Sequence, residues 1–137
     1  MKIFIDTSAW DAIEDSSDPN HELALAFKDD LSNNCRLITT DYVLDETYTL
    51  LLLNVGYERT IAFQKNTSEL LQTGILAVVH VPASLCDEAW DIFKRFNVDK
   101  KWSFTDCVSY VVMKQLDIET VFAFDRHFEQ MGFTRKP

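Results

Sequence analysis

The apolar segments of this chain are short, continuous and separated by helical patterns, and this feature limits its possible folds most. Residues 2–5, 36–39, 76–81 and 120–124 are such segments, and their residues do not alternate between apolar and polar. Strands without alternation are buried on both faces, as in parallel sheets covered by helices. We therefore predict an α/β fold with a central parallel sheet of four to five strands, the last near Phe133, and helices on both faces.

The segments between these strands have helical spacing and capping residues. Helices are predicted to begin at Ser8 and to span residues 21–33, 41–54, 57–72, 85–96, 103–116 and 127–131. Two helices are predicted before the third strand and two before the fourth, whereas the simplest strand–helix–strand unit has a single helix between its strands. No linker, repeat or low-complexity stretch interrupts the pattern, so residues 1–137 are expected to form a single domain.

Composition excludes several classes of protein. Hydrophobic residues make up 47% of the chain, which is typical of a globular protein, and no apolar run approaches the length of a membrane span. The chain starts directly in a strand pattern without the apolar stretch of a signal sequence, so we expect a cytoplasmic protein without membrane contact. The three glycines are far apart, which excludes a P-loop and a dinucleotide fingerprint.

The net charge of −9 counts against nucleic-acid binding, because phosphate recognition normally requires a basic surface. Two divalent cations would bring −9 only to −5. A nucleic-acid function therefore needs strong local evidence.

Four acids provide such evidence, because topology is expected to bring them together. Asp6 and Asp125 directly follow the first and fourth predicted strands, while Glu46 and Asp106 lie near the starts of two later helices. In a parallel sheet the carboxyl ends of the strands share one edge, and the connecting helices start there. Four carboxylates in one crevice need a counter-charge, and their oxygens suit Mg²⁺ or Mn²⁺. Such a cluster supports attack of water on a phosphodiester.

Each acid also has a structural alternative. Asp6 and Asp125 can cap the segments that follow them, and Asp106 is the third residue of a capping box that begins at Ser103. Glu46 shares a helical face with apolar residues, where an unpaired acid is unfavourable, whereas its neighbour Asp45 is expected in solvent. Capping alone does not explain why all four acids fall on one edge, so we favour the joint role.

Four stretches in this order resemble the signature segments of PIN domains. They are IDTS (residues 5–8), TTDYVLDE (39–46), SFTDC (103–107) and FAFDRHFEQMGF (122–133). The resemblance implies a divalent-metal-dependent endoribonuclease of single-stranded RNA, often a VapC-like toxin with an antitoxin partner, and it implies a homodimer. It also implies that the four acids are the catalytic metal ligands and that the hydroxyls of Ser8 and Ser103 support them.

One basic cluster lies close to these acids in sequence. It contains an aromatic residue and consists of Lys94, Arg95, Lys100, Lys101 and Trp102. Phosphate contact and base stacking by this cluster would guide single-stranded RNA, although a solvated helix end with a core tryptophan explains it equally well. Arg126 can touch a substrate phosphate or pair with an acid, and His127 is expected to be structural.

Two other functions compete with a nuclease. A receiver-like phosphoacceptor would need an acidic pair at the first strand and a lysine after a later one, and Asp6 has no acidic neighbour. A PIN-like scaffold that binds RNA or protein without cutting it is the second alternative. Cleavage of an oligonucleotide that depends on metal distinguishes a nuclease from this scaffold.

Overall fold

The computed structural model describes residues 1–31 and 33–137 and contains one five-stranded sheet. The strands are β1 (Lys2–Ile5), β2 (Arg36–Thr40), β3 (Leu76–Val79), β4 (Thr120–Phe122) and β5 (Thr134–Lys136). The helices are α1 (Thr7–Glu14), α2 (His21–Asp30), α3 (Asp41–Asn54), α4 (Tyr57–Gln72), α5 (Ala83–Phe96), α6 (Phe104–Gln115) and α7 (His127–Gln130). Among these described residues, no helix is both long enough and apolar enough to cross a membrane.

The strand order β3-β2-β1-β4-β5 confirms the predicted parallel α/β sheet, since every neighbouring pair is parallel. The chain moves in one direction from β1 to β3 and then returns past β1 to form β4 and β5. With right-handed connections, α1–α4 cover one face and α5 and α6 cover the other. The central strand β1 is buried on both sides, with Ile3 and Phe4 fully inaccessible.

The direction of strand connection reverses between β1 and β4. In parallel α/β sheets a crevice opens at such a point, outside the carboxyl ends of the strands, and ligands bind there. Asp6 follows β1 directly, and Asp125 lies three residues beyond the end of β4. The topology therefore positions a candidate site at this edge.

Several predicted elements are longer than the observed ones, including the strand predicted over residues 76–81, which ends at Val79. The strand predicted over residues 120–124 ends at Phe122, because the backbone N–H of Phe124 donates to Ser8 Oγ at 3.0 Å. The helix predicted over residues 21–33 ends at Asp30, where Leu31 turns to an extended conformation. Ser32, which that prediction included, lies outside the described residues.

Candidate active site

Asp6 is both the N-cap of α1 and a buried acid at the crevice. Its Oδ2 accepts hydrogen bonds from the backbone N–H of Ser8 at 3.2 Å and from Ser8 Oγ at 2.7 Å. Burial, followed by repulsion from Asp106, raises the pKa of Asp6 to about 7 despite these bonds. Ser8 Oγ also accepts from the N–H of Phe124. This hydroxyl therefore links Asp6 to the segment that leads to Asp125.

Asp106 combines a capping role with a place beside the other acids. Its Oδ2 accepts from the backbone N–H of Ser103 at 3.1 Å, while its own N–H donates to Ser103 Oγ at 3.0 Å, which completes a capping box. Neither cap bond uses Oδ1. The residue is buried, and it raises the pKa of Asp6 and Glu46 by repulsion. Capping and a role in the acidic cluster are therefore compatible.

Asp125 and His127 complete this side of the crevice. Asp125 Oδ1 accepts from the backbone N–H of His127 at 2.9 Å and lies 3.3 Å from His127 Nδ1. The same Nδ1 lies 2.8 Å from Asp106 Oδ2. One ligand atom from each of Asp106, Asp125 and His127 falls within 4.8 Å of the others, which is close enough for a shared cation.

Glu46 approaches the cluster from the second turn of α3. The residue is exposed, yet partial burial of its carboxylate and then repulsion from Asp106 raise its pKa, and Asp125 adds to the effect. Hydrogen bonds with Thr7 and Thr105 oppose that rise. Glu46 is thus electrostatically coupled to two of the other acids.

The surroundings of Glu46 differ from the expected apolar face. Helical spacing places Val43 and Leu53 on the face of Glu46, and Val43 is buried whereas Leu53 is 78% exposed. The face of α3 that enters the core instead carries Leu44, Thr47 and Leu51, so Leu53 lies outside it. Asp45 is exposed, as predicted.

The predicted basic cluster is divided by the fold. Lys94, Arg95 and Lys101 are exposed, and Lys100 pairs with Asp99 at 3.2 Å. Arg126 is also exposed and follows Asp125 directly. These cations are accessible to a ligand, whereas the tryptophan of the cluster is not.

Trp102 is only 3% exposed, so its ring is not available for base stacking. Its Nε1 donates to Gln130 Oε1 at 2.8 Å, and its backbone N–H donates to Asn97 Oδ1 at the same distance. Its ring packs against Phe96 with centroids 5.0 Å apart. The core-tryptophan alternative therefore describes this residue.

The chemistry of the donor set fits a divalent cation. The four acids offer carboxylate oxygens, which hard cations such as Mg²⁺ and Mn²⁺ prefer. Within the described part of the chain, His127 is the one basic side chain with a nitrogen within 4.0 Å of a carboxylate oxygen of these acids. Burial and then repulsion from Asp106 raise the pKa of Asp6 and Glu46, and a bound cation would oppose both effects by stabilising the charged carboxylates.

Comparison with known proteins identifies the family. The family model described as PIN domain matches residues 3–134. The chain belongs to the PIN-domain family.

Two relatives match this PIN domain over different lengths. The 23S rRNA-specific endonuclease VapC20 of Mycobacterium tuberculosis is 32% identical over 131 residues, which cover 96% of this chain and 95% of that protein. The VapC ribonuclease of Archaeoglobus fulgidus is 30% identical over 93 residues, covering 68% of this chain and 56% of that protein.

Solved structures agree with the fold. The crystal structure of M. tuberculosis VapC20, described as a sarcin–ricin-loop-cleaving toxin, matches with a TM-score of 0.85 and 30% identity, covering 96% of each chain. FitAcB from Neisseria gonorrhoeae matches with a TM-score of 0.66 and 16% identity, covering all of this chain and 97% of that one. The second likeness concerns the fold alone.

His127 is the residue of this PIN domain whose position the sequence did not reveal. It was expected to be structural, yet its imidazole lies between two acids of the site. The sequence places His127 two residues after Asp125, but the contact of His127 with Asp106 depends on how α7 packs against the start of α6. No local pattern predicts that packing.

Proposed function

We propose that this chain is a divalent-metal-dependent endoribonuclease that hydrolyses phosphodiester bonds of single-stranded RNA and acts as the toxin of a toxin–antitoxin pair. The observation that carries the proposal is the electrostatic coupling of Asp6, Glu46, Asp106 and Asp125 at the switch point of the sheet. Sequence similarity to two VapC ribonucleases supports the same activity.

The four acids divide into two groups by environment. Asp6 and Asp106 are buried and held by hydrogen bonds from Ser8 and Ser103, so their positions are fixed before a ligand arrives. Asp125 and Glu46 are more accessible and approach from the segment before α7 and from α3. We assign all four as ligands of Mg²⁺ or Mn²⁺, with the buried pair as the fixed part of the site.

A divalent cation held there would neutralise charge on the phosphate and activate water for in-line attack. The protein residues provide the geometry. Ser8 Oγ fixes the carboxylate of Asp6, the capping box fixes Asp106, and His127 spans Asp106 and Asp125. The exposed cations Lys101 and Arg126 are candidates for contact with the RNA backbone, because each adjoins a segment that carries an acid of the site.

The toxin assignment implies a protein antitoxin, and we also propose a homodimer. An antitoxin that inserts an arginine into the crevice would satisfy the excess negative charge, since arginine–carboxylate contacts are strong and bidentate. The surplus of acids over cations in the crevice supports this mode of inhibition.

Cleavage of a labelled single-stranded oligoribonucleotide tests the proposal. Wild-type protein is incubated with Mg²⁺ or Mn²⁺, and in parallel with a chelator. A sarcin–ricin-loop oligonucleotide serves as a second substrate because a relative is described as cutting that loop. We expect internal cleavage with metal and none in chelator. Binding of the oligonucleotide without cleavage in either metal would instead support the non-cutting scaffold.

A further inference from the structure

An exposed tryptophan lies close to the acidic site, but it is not the one in the basic cluster. Trp90, on α5, is 49% exposed. Its ring packs against Phe104 with centroids 4.8 Å apart and against Phe93 at 5.1 Å. Both neighbours are partly buried, so the indole is held in place while about half of it faces solvent.

A row of aromatic rings connects Trp90 to the two helices that carry Glu46 and Asp106. Phe104 is the first residue of α6, two positions before Asp106, and its ring lies 6.1 Å from that of Tyr42. Tyr42 in turn lies one helical turn before Glu46 on α3. The row Tyr42–Phe104–Trp90 therefore joins α5 to the starts of α3 and α6, the two helices that carry Glu46 and Asp106.

A polar contact fixes the two helices on either side of this row. Tyr42 Oη lies 3.2 Å from Cys86 Sγ, and Cys86 precedes Trp90 by one turn of α5. The contact ties the start of α3 to the face of α5 that presents Trp90. A ring held on two packed helices loses little conformational freedom when a ligand stacks on it.

A cation beside Trp90 is accessible to a phosphate backbone. Lys94 lies one turn after Trp90 on the same face of α5, and its Nζ is 3.8 Å from the exposed carboxylate of Asp91. Lys101, three residues before Phe104, is exposed and has no hydrogen bond or ion pair within the described residues. Lys94 thus lies beside Trp90, Lys101 precedes Phe104 in the same loop-to-helix segment, and both are accessible to a phosphate.

We propose that Trp90 and Phe104 form a stacking platform for one nucleobase of single-stranded RNA whose backbone crosses the acidic site. Every nucleobase has a π face, so an exposed ring beside cations binds single strands without reading their sequence. The proposal rests on the ribonuclease function and names the part of the substrate that binds beside the reacting phosphate. A protein surface is the competing occupant, and the experiment distinguishes it.

The test combines protein variants with modified substrates. KM and kcat are measured in Mn²⁺ for wild type, Trp90→Ala and Trp90→Phe on an oligoribonucleotide, and again on a series with one abasic nucleotide moved along the chain. Loss of base stacking is expected to raise the KM of Trp90→Ala about 5- to 150-fold, with a small change in kcat. Trp90→Phe should recover most of that loss. At one abasic position the wild type should show the same rise in KM, and Trp90→Ala should show no further rise.

Controls separate this proposal from a failure of the ribonuclease function. Absence of cleavage by wild type would refute the function itself, whereas cleavage with an unchanged KM in Trp90→Ala refutes only the platform. Tyr57→Ala removes an aromatic residue that is 70% exposed at the start of α4, and it should leave KM unchanged. Thermal melts verify that each variant is folded. Sedimentation verifies its assembly, and an altered assembly with unchanged KM would assign Trp90 to a protein interface and overturn the proposal.

Discussion

His127 Nδ1 lies 2.8 Å from Oδ2 of Asp106, a contact made across 21 residues of sequence. The same nitrogen lies 3.3 Å from Oδ1 of Asp125. One imidazole therefore holds together two acids from different elements. A carboxylate that is already hydrogen-bonded in place binds a metal with less rearrangement.

Replacing His127 should weaken the response to metal. In His127→Ala the two acids lose their shared partner, so the Mn²⁺ concentration for half-maximal cleavage is expected to rise roughly 10- to 100-fold. His127→Gln keeps a hydrogen-bond donor, so the Mn²⁺ concentration for half-maximal cleavage should rise less. His80→Ala, which removes a histidine whose side chain is 84% exposed, is the matched control. An unchanged Mn²⁺ dependence in His127→Ala would mean that the histidine has no part in positioning the acids.

Substitutions of the two adjacent acids of α3 should differ sharply in their effect on RNA cleavage. Glu46→Gln removes a charge that is coupled to Asp106 and Asp125, so cleavage should collapse, whereas Asp45→Asn alters an exposed side chain and should retain most of it. Cleavage rates of the two purified variants in Mn²⁺ provide the comparison. If Asp45→Asn were the inactive one, the face of α3 assigned to the site would be incorrect.

The sequence predicted the elements of this site better than its packing. The capping signal at Ser103 is local, and the observed helix α6 begins directly after it. The contact of His127 with Asp106 and the burial of Trp102 depend on side chains that are distant in sequence, such as Gln130. Periodicity reports which face of an element is apolar, but it does not report which other element covers that face.

Stability of the metal-free protein should fall as pH rises. Between the unfolded carboxyl pKa near 3.8 and the folded value of about 7, Asp6 binds a proton in the folded state and not in the unfolded state. The folded state then binds more protons, so the free energy of unfolding decreases with rising pH through this window. The raised pKa of Glu46 acts in the same direction.

Urea unfolding in chelator at several pH values between 4.5 and 8, values that span roughly the window set by this linkage, measures the effect. Asp6→Asn retains a good N-cap and removes the titrating group, so its stability should depend less on pH. A wild type that is equally stable across the range, or a variant with the same slope, would show that Asp6 is not held protonated by the fold.

Trp102 should matter for stability rather than for RNA binding. Trp102→Phe removes the indole donor to Gln130 while keeping an aromatic ring, so the expected loss is about 1 kcal/mol, or roughly 3–5 °C in melting temperature. Thermal melts and the KM of the folded variant are the two measurements. A raised KM at unchanged melting temperature would show instead that Trp102 takes part in RNA binding.

Mn²⁺-dependent cleavage by Asp106→Asn tests the central claim most directly. This substitution keeps the shape of the side chain and its capping acceptor but removes the charge that is coupled to Asp6 and Glu46. Asp117→Asn is the matched control, because Asp117 is exposed at the other end of α6 and its φ of 53° suits asparagine. The account predicts that Asp117→Asn cleaves single-stranded RNA like the wild type, and that Asp106→Asn loses more than the roughly 10- to 100-fold typical of residues that only support a metal ligand. Full cleavage by a folded Asp106→Asn would contradict it.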